Sequence, residues 1–480
     1  MKLSLRKRGL SSLAFALLCG FFSPSALHAQ DIYYAVRTTT SYGDDGERDL
    51  GLTGSESNDH FQLNIAPRAF FVFTPDWTAY ARARVFLPSS RATPSELDQP
   101  DNAGASKGFA GLNELWVQYN GITSYPGEAI RFGRQRIRQS DGEWWDQDAD
   151  SLRWFLDTTL HSAQAGVARQ LSTYRTDSVR VPLKQRDRTF VFGDLARRWS
   201  VDDRVGLRVT HGRDNVTLPE VGTLVDFRDK LQDSRLTWIG LFADNGFYEA
   251  RGAEQSFAYA LEATYLTGNQ DVAVRGSGNS GIASRFSQDV SAWKGSAAAR
   301  WQPFSRVPVQ LGAAYTYSQG GESGEHSHQF QQTGMQSNTS YYSGTQTLTS
   351  RYNEMLQPEL GNLRITTGFV SLDLANQTAS VIFEQFRKDD GAASILTQNV
   401  VAVPTNTSRD IGNGVDLVLT HYFGRAPRSQ RLLESGDAFL AQERRSLISL
   451  RASMFQPGDA YPTEAKTVYR ITLEATLWWD

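Results

Sequence analysis

The chain is poor in the features that mark most folds. It has one cysteine in 480 residues, which excludes a disulfide scaffold. It is only 40% apolar, with a mean hydropathy of −0.43, and lacks the succession of long apolar runs that helical membrane bundles need at roughly 20 residues per span. It carries little net charge, with 49 Lys+Arg against 52 Asp+Glu, a balance of −3. It is not poor in rings. The 11 Trp, 18 Tyr and 26 Phe exclude a disordered chain, and 40 Gly accompany them. The length would suit about three soluble domains, yet no stretch offers an obvious apolar core.

A short apolar run, too short to span a membrane, stands near the N-terminus. Lys2, Arg6, Lys7 and Arg8 precede an apolar stretch over residues 10–22, and Leu27-His28-Ala29 ends in a small residue. This three-part pattern predicts a secretory signal over residues 1–29, followed by one unit over 30–480. Cys19 lies inside the signal, behind Leu18, which is too large for lipoprotein processing. The processed chain would hold no cysteine and a net charge of −7, because four basic residues leave and no acidic ones do. A secreted chain of this size without disulfides fits a bacterial envelope.

Along the rest of the chain the recurring pattern has a period of two. Val309, Leu311, Ala313, Tyr315 and Tyr317 alternate with Gln310, Gly312, Ala314, Thr316 and Ser318. Tyr469, Ile471, Leu473, Ala475, Leu477 and Trp479 alternate with Arg470, Thr472, Glu474 and Thr476. Residues 61–73, 77–87, 112–119, 130–138, 205–211, 257–267, 379–388 and 415–422 repeat the pattern less cleanly. Successive strand side chains point to opposite faces, so each stretch has one apolar and one polar side.

A soluble sandwich or propeller would give this alternation, and so would a membrane barrel. Three features favour the barrel. The stretches are about ten residues long, enough for a tilted crossing. Aromatics sit at their ends, as in Trp77 and Tyr80, Trp116 and Tyr119, Tyr422 and Phe423, Trp478 and Trp479. The chain also closes on an amphipathic strand. At about 25 residues per strand and connection, roughly 16 to 18 antiparallel strands are expected in one all-β transmembrane barrel. Alternation begins by Ile32, leaving no room for an N-terminal plug domain. Residues 88–108, 214–233, 318–361 and 389–412 are polar connections, and 424–445 is an arginine-rich one. In this reading apolar residues face lipid and the interior is water.

An ion facing lipid near the midplane costs about 2–4 kcal/mol, so charges on spanning strands should face the lumen. Arg82 and Arg84 alternate with Ala81, Ala83 and Val85; Arg68 shares its face with Gln62 and Asn64. Arg37 and Arg451 fall opposite Val36 and Leu450, and Glu384, Arg387 and Lys388 lie on one strand. Residues 131–138 hold four arginines: Arg131, Arg134, Arg136 and Arg138. Lumenal arginines either pair with lumenal carboxylates or form a positive constriction. The second option gives a path for carboxylated or phosphorylated solutes, which arginine grips through two hydrogen bonds.

The segment Tyr125-Pro126-Gly127-Glu128 through Arg131-Phe132-Gly133-Arg134-Gln135-Arg136 carries a family resemblance. So do Glu47 to Gly51, Asp76-Trp77-Thr78-Ala79-Tyr80, Tyr174-Arg175-Thr176-Asp177, Gln329 to Gly334 and Pro457-Gly458-Asp459-Ala460-Tyr461. Ordered along the chain, these segments resemble the alginate export porins. The resemblance implies a monomeric barrel of about eighteen strands in the outer membrane of a Gram-negative cell, with long extracellular loops. It implies passive, anion-selective export of alginate, a polymer of mannuronate and guluronate, through an arginine-lined constriction. It further implies an extracellular gating loop at 88–108, a periplasmic one at 424–445, and partners in the periplasm and inner membrane.

Carried over by segment, the resemblance assigns Arg37, Arg68, Arg136 and Arg451 to the pore, with Asp146 and Asp177 beside them. The alternation adds Arg82 and Arg84, the Gly-Arg-Gln-Arg motif adds Arg134, and Arg351 completes the expected lining. Asn113, Thr339, Leu348 and Ser449 stand where the resemblance predicts arginine, Thr173 where it predicts glutamate, and Asp480 follows the usual terminal aromatic. The lining is therefore expected to be less positive here.

The acid-rich residues 140–150 suggest a Ca²⁺ loop but lack EF-hand spacing, which favours a polar loop with no cofactor. His326 and His328 are too few for a structural metal site. No nucleophile elbow, phosphate loop or zinc motif is present, so no enzyme and no nucleic-acid partner are expected. The competing expectations are an uptake porin for small acidic solutes and a glycan-modifying envelope enzyme.

Overall fold

A computed structural model describes residue 29 and residues 31–479, apart from 55–57, 90–107, 126, 178–180, 182–184, 226–229, 250–255, 277–280, 305–306, 324 and 425–444. The expected signal segment, most of the loops expected at 88–108 and 424–445, and Asp480 lie outside the described residues.

The wall begins with β1 (Asp31–Asp45), β2 (Asn58–Val72), β3 (Trp77–Pro88), β4 (Phe109–Tyr119), β5 (Glu128–Arg138), β6 (Asp146–Asp157) and β7 (His161–Arg169). It continues with β8 (Arg188–Arg198), β9 (Arg204–Asp214), β10 (Gln232–Asp244), β11 (Phe257–Arg275), β12 (Ile282–Trp301) and β13 (Val309–Ser318). Four two-residue strands follow within one long connection: β14 (Glu322–Ser323), β15 (His326–Ser327), β16 (Thr339–Ser340) and β17 (Thr349–Ser350). The last wall strands are β18 (Leu363–Leu374), β19 (Gln377–Lys388), β20 (Asp410–Phe423), β21 (Ser446–Pro457) and β22 (Val468–Trp479). Each wall strand pairs antiparallel with the next, and β1 pairs with β22 from Val36↔Trp479 to Asp45↔Arg470. Eighteen strands thus close into one barrel, with no helix among the described residues. Closure leaves no unpaired sheet edge, which the bilayer would penalise.

The alternation expected from the sequence is the alternation of the wall. On β13, Leu311 and Tyr315 are exposed while Gln310, Thr316 and Ser318 are buried inside. On β22, Tyr469, Ile471 and Leu473 face out, and Arg470 faces in. Phe132, Leu152, Val167, Leu207, Leu241 and Phe383 extend the outward apolar belt. Aromatic pairs mark its borders, including Trp77 on Tyr119 at 4.7 Å and Tyr265 on Trp293 at 4.6 Å. One rim carries turns as short as residues 158–160 and 375–376; the other carries 170–187, 319–362 and 389–409. Short turns mark the periplasmic side and long loops the outside.

The interior is not the water-filled space expected from the sequence. Two connections fold into it. The β5–β6 hairpin leaves the wall above Arg134 and Asp150: pairing to β4 stops at Leu115↔Arg134 and pairing to β7 at Asp150↔Arg169. The upper part of β4 bonds instead to the β7–β8 connection, through Leu112 N–H to Tyr174 O (3.0 Å) and Thr176 N–H to Ala110 O (2.9 Å). Gly133, with φ 123°, sits where the hairpin parts from β4; a Cβ there would lie 2.3 Å from the Leu115 carbonyl. The hairpin tip crosses to the opposite wall, where the Trp145 indole donates to Thr210 on β9 (3.0 Å) and that of Trp144 to Glu262 on β11 (2.6 Å).

The second insertion comes from residues 319–362. It meets the hairpin tip, where Met335 O accepts from Asp146 N–H at 2.6 Å, and runs on toward the periplasmic ends of β18–β20. Around both insertions Ile137, Trp144, Trp145, Phe192, Trp238, Met335, Met355, Leu356, Phe386 and Phe455 form an apolar core inside the barrel. The insertions carry enough apolar surface to expel water from one another and from the wall.

Candidate functional site

The inward segment leaves a cavity of about 100 Å³ toward the periplasmic side, against β20, β21, β22 and β1. Arg37 from β1 and Arg451 from β21 line it, with Glu474 and Thr476 from β22 and Thr420 and Tyr422 from β20. Tyr341, Gln346, Thr347 and Leu348 come from the segment. Strand alternation puts Arg37, Arg451 and Glu474 on inward faces, and closure of β22 onto β1 brings the two arginines together across more than 400 residues of sequence. The segment is held in place by Ser343 O accepting from Ser371 (2.6 Å), by Ser380 Oγ at 2.9 Å from Ser343 Oγ, and by Thr347 at 2.8 Å from the Tyr422 hydroxyl. Tyr422, near the end of β20, and Leu447, near the start of β21, stand at the cavity's edge.

The other expected lining residues lie elsewhere inside the barrel, most of them paired with carboxylates. Arg82 meets Glu114 at 3.0 Å and Asp148 at 3.1 Å. Arg84 lies on the rings of Phe86 and Phe109, and Arg68 lies 4.4 Å from the Trp478 ring centre. Arg134 and Arg136 do not alternate as lumenal residues of a wall strand. They share the phase of Phe132, which is 70% exposed to the lipid side, and avoid lipid only because their hairpin has left the wall. Arg136 Nε donates to Asp146 at 2.7 Å; Arg134 covers the Tyr174 ring and lies 3.7 Å from Asp150. Asp177 pairs with Arg175 at 2.6 Å in the β7–β8 connection on the outer rim.

Arg351 is 2% exposed and belongs to a buried network instead of the cavity. It meets Glu143 at 2.5 Å; Lys294 pairs with the same carboxylate and with Glu262 at 3.3 Å, and Arg208 pairs with Asp141. Three acids and three bases tie the hairpin, three wall strands and the inward segment together. Burial alone would raise the Asp141 carboxyl; Arg208 and then Arg351 outweigh it and bring the group down to about 2. Glu143 is likewise lowered despite burial, by Lys294 and then Arg351. The acids of residues 140–150, suggested by sequence as a Ca²⁺ loop, are thus each within reach of a cation. Among the described residues no group of three or more His, Cys, Asp or Glu could hold a metal.

Of the positions where arginine was expected, Leu348 and Ser449 line the cavity, and Asn113 bonds Asp148 at 2.9 Å. Thr339 lies in the inward segment. Sequence reasoning missed Tyr341, Tyr422, Glu474 and Glu354. A signal was present in residues 341–356, where Tyr341, Tyr342, Tyr352, Met355 and Leu356 are too apolar for a solvent loop.

Residues 30–470 match the family model described as alginate export. The chain belongs to the alginate export family. Its relatives include alginate production protein AlgE of Pseudomonas aeruginosa, 34% identical over 96% of this chain and 95% of the relative. AlgE of Azotobacter vinelandii is 34% identical over 92% of each chain. Among solved structures, Pseudomonas aeruginosa OccK8 (OprE) superposes with a TM-score of 0.55 at 11% identity, covering 95% of this chain and 99% of the other. OccK1 (OpdK) gives 0.53 at 11% identity, covering 94% of this chain and all of the other. At such identities these two speak for the fold alone. The alginate export family is thus carried here on an outer-membrane porin barrel.

Proposed function

We propose that this protein carries alginate outward across the outer membrane, passively and unchanged, past Arg37 and Arg451. The observation that carries this reading is the periplasmic-side cavity in which those two guanidiniums converge beside Tyr341 and Tyr422. A polyuronate presents a carboxylate on every sugar, and guanidinium is the side chain that grips carboxylate through two donors while staying charged. Hydroxyls of Thr420, Ser449 and Thr476 suit sugar hydroxyls. The polymer is delivered from the periplasm by other components of the secretion machinery, after the signal at residues 1–29 has been removed.

Purified protein in planar bilayers should prefer anions across a salt gradient, and oligomannuronate should block its current. Replacing Arg37→Glu and Arg451→Glu together should abolish both. A cation-preferring pore insensitive to the oligomer would overturn the reading. Deleting the gene should abolish secreted alginate; unchanged secretion with retained anion conductance would mark an uptake porin for small acidic solutes.

A further inference from the structure

Several interior ion pairs among the described residues are sealed. Arg208 with Asp141, Arg351 with Glu143 and Arg470 with Asp45 have side chains less than one-tenth exposed on both partners. The pair at the cavity differs. Arg451 is bonded to Glu354 of the inward segment, and their side chains keep 23% and 13% exposure. Arg451 Nη2 also donates to Leu348 O at 2.8 Å.

The wall builds the position of Glu354. Its main-chain N–H donates to Asp416 at 3.0 Å. The Asn353 amide donates to Asp416 at 2.7 Å, and Asn353 N–H donates to Glu384 at 3.0 Å. Met355 N–H donates to Ser453 at 2.8 Å. Asn353 adopts φ 57° and accepts from Leu356 N–H at 2.9 Å, which closes a tight turn. Strands β19, β20 and β21 therefore clamp the backbone on both sides of Glu354, and its side chain alone reaches out to Arg451. Charge points the same way. Arg37 and Arg451 against Glu474 leave the cavity lining one charge positive, and Glu354, just behind, cancels it.

We propose that Glu354 is a specificity-determining residue, an internal carboxylate that occupies Arg451 until a carboxylate of the passing polymer replaces it. The inference rests on the export reading and names a second group that governs it. A pair that keeps part of its exposure is easier to exchange than the sealed ones, because an incoming carboxylate can replace Glu354 without leaving Arg451 unpaired. Small anions meet Arg451 already paired, so the native chain's anion preference in salt rests on Arg37 and is modest. A polymer threaded through the cavity holds its next carboxylate at high local concentration and competes successfully.

The test uses full-length protein in planar bilayers, reading the reversal potential in a KCl gradient and the half-blocking concentration of oligomannuronate. Glu354→Gln should raise anion preference and lower the half-blocking concentration by roughly three- to tenfold. Glu354→Asp keeps the charge on a shorter arm and should fall between the two, which separates charge from packing and serves if the Gln variant fails to fold. In an Arg451→Gln background Glu354→Gln should still shift the reversal potential, because a charge is lost, but should lower the half-blocking concentration far less than it does in the native chain. If Glu354→Gln matches the wild type while Arg451→Gln weakens block, the role of Glu354 is refuted and the export reading stands. If oligomannuronate blocks none of the chains, the export reading fails with it.

Discussion

At the scale of single residues, the interior is governed by pairing. Asp141 and Glu143 are held below the ordinary carboxyl range by the cations beside them, in spite of burial. A carboxyl with a depressed folded value stabilises the fold fully above its unfolded value of about 4, and that contribution is lost as pH falls through the folded value. The fluorescence of the detergent-solubilised protein, which includes Trp144 and Trp145 at the hairpin tip, should stay flat from pH 7 to 4 and change as pH approaches 2. A midpoint between 5 and 6 would contradict the arrangement. Sequence made the charges visible but not their partners. Arg82 could be assigned inward from Ala81 and Ala83, yet its partner Asp148 lies 66 residues away on a hairpin that has left the wall. Arg134 and Arg136 show the limit most clearly, because alternation assumes a strand that stays in the sheet.

At the scale of elements, the wall strands could be read from their period of two, since lipid and lumen impose opposite demands on alternate residues. The inward segment could not be read this way. Its hydrogen bonds to the wall run through serines, threonines and asparagines, the composition of any exposed loop, and only its few apolar residues hint that it is buried. A pair of substitutions tests whether it stays docked. Ser343 and Ser380 approach to 2.9 Å between hydroxyl oxygens, and the processed chain is expected to contain no cysteine. Ser343→Cys with Ser380→Cys should crosslink on oxidation, and the oxidised protein should match the reduced one in conductance and in oligomannuronate block. A conductance restored only by reductant would show that the segment must swing away.

At the scale of the whole molecule, architecture was legible because every strand repeats the same contract with the bilayer. The site was less so, because closure of β22 on β1 and the two insertions assemble it from distant parts of the chain. The belt makes its own prediction. Val209 faces outward at the middle of β9, and Val209→Arg should cost about 2–4 kcal/mol, read as a shift in urea-dependent folding into lipid vesicles. No shift would mean that this face of β9 is not against lipid. The hairpin tip has a mechanical side as well. It stands across the ring like a strut, fixed to β9, β11 and β12 at one end and continuous with β5 and β6 at the other. An empty tube flattens when squeezed from the side, whereas a tube with a close-packed cross-brace resists compression. The bore of this protein should therefore keep its cross-section as tension in the surrounding sheet of lipid rises and falls.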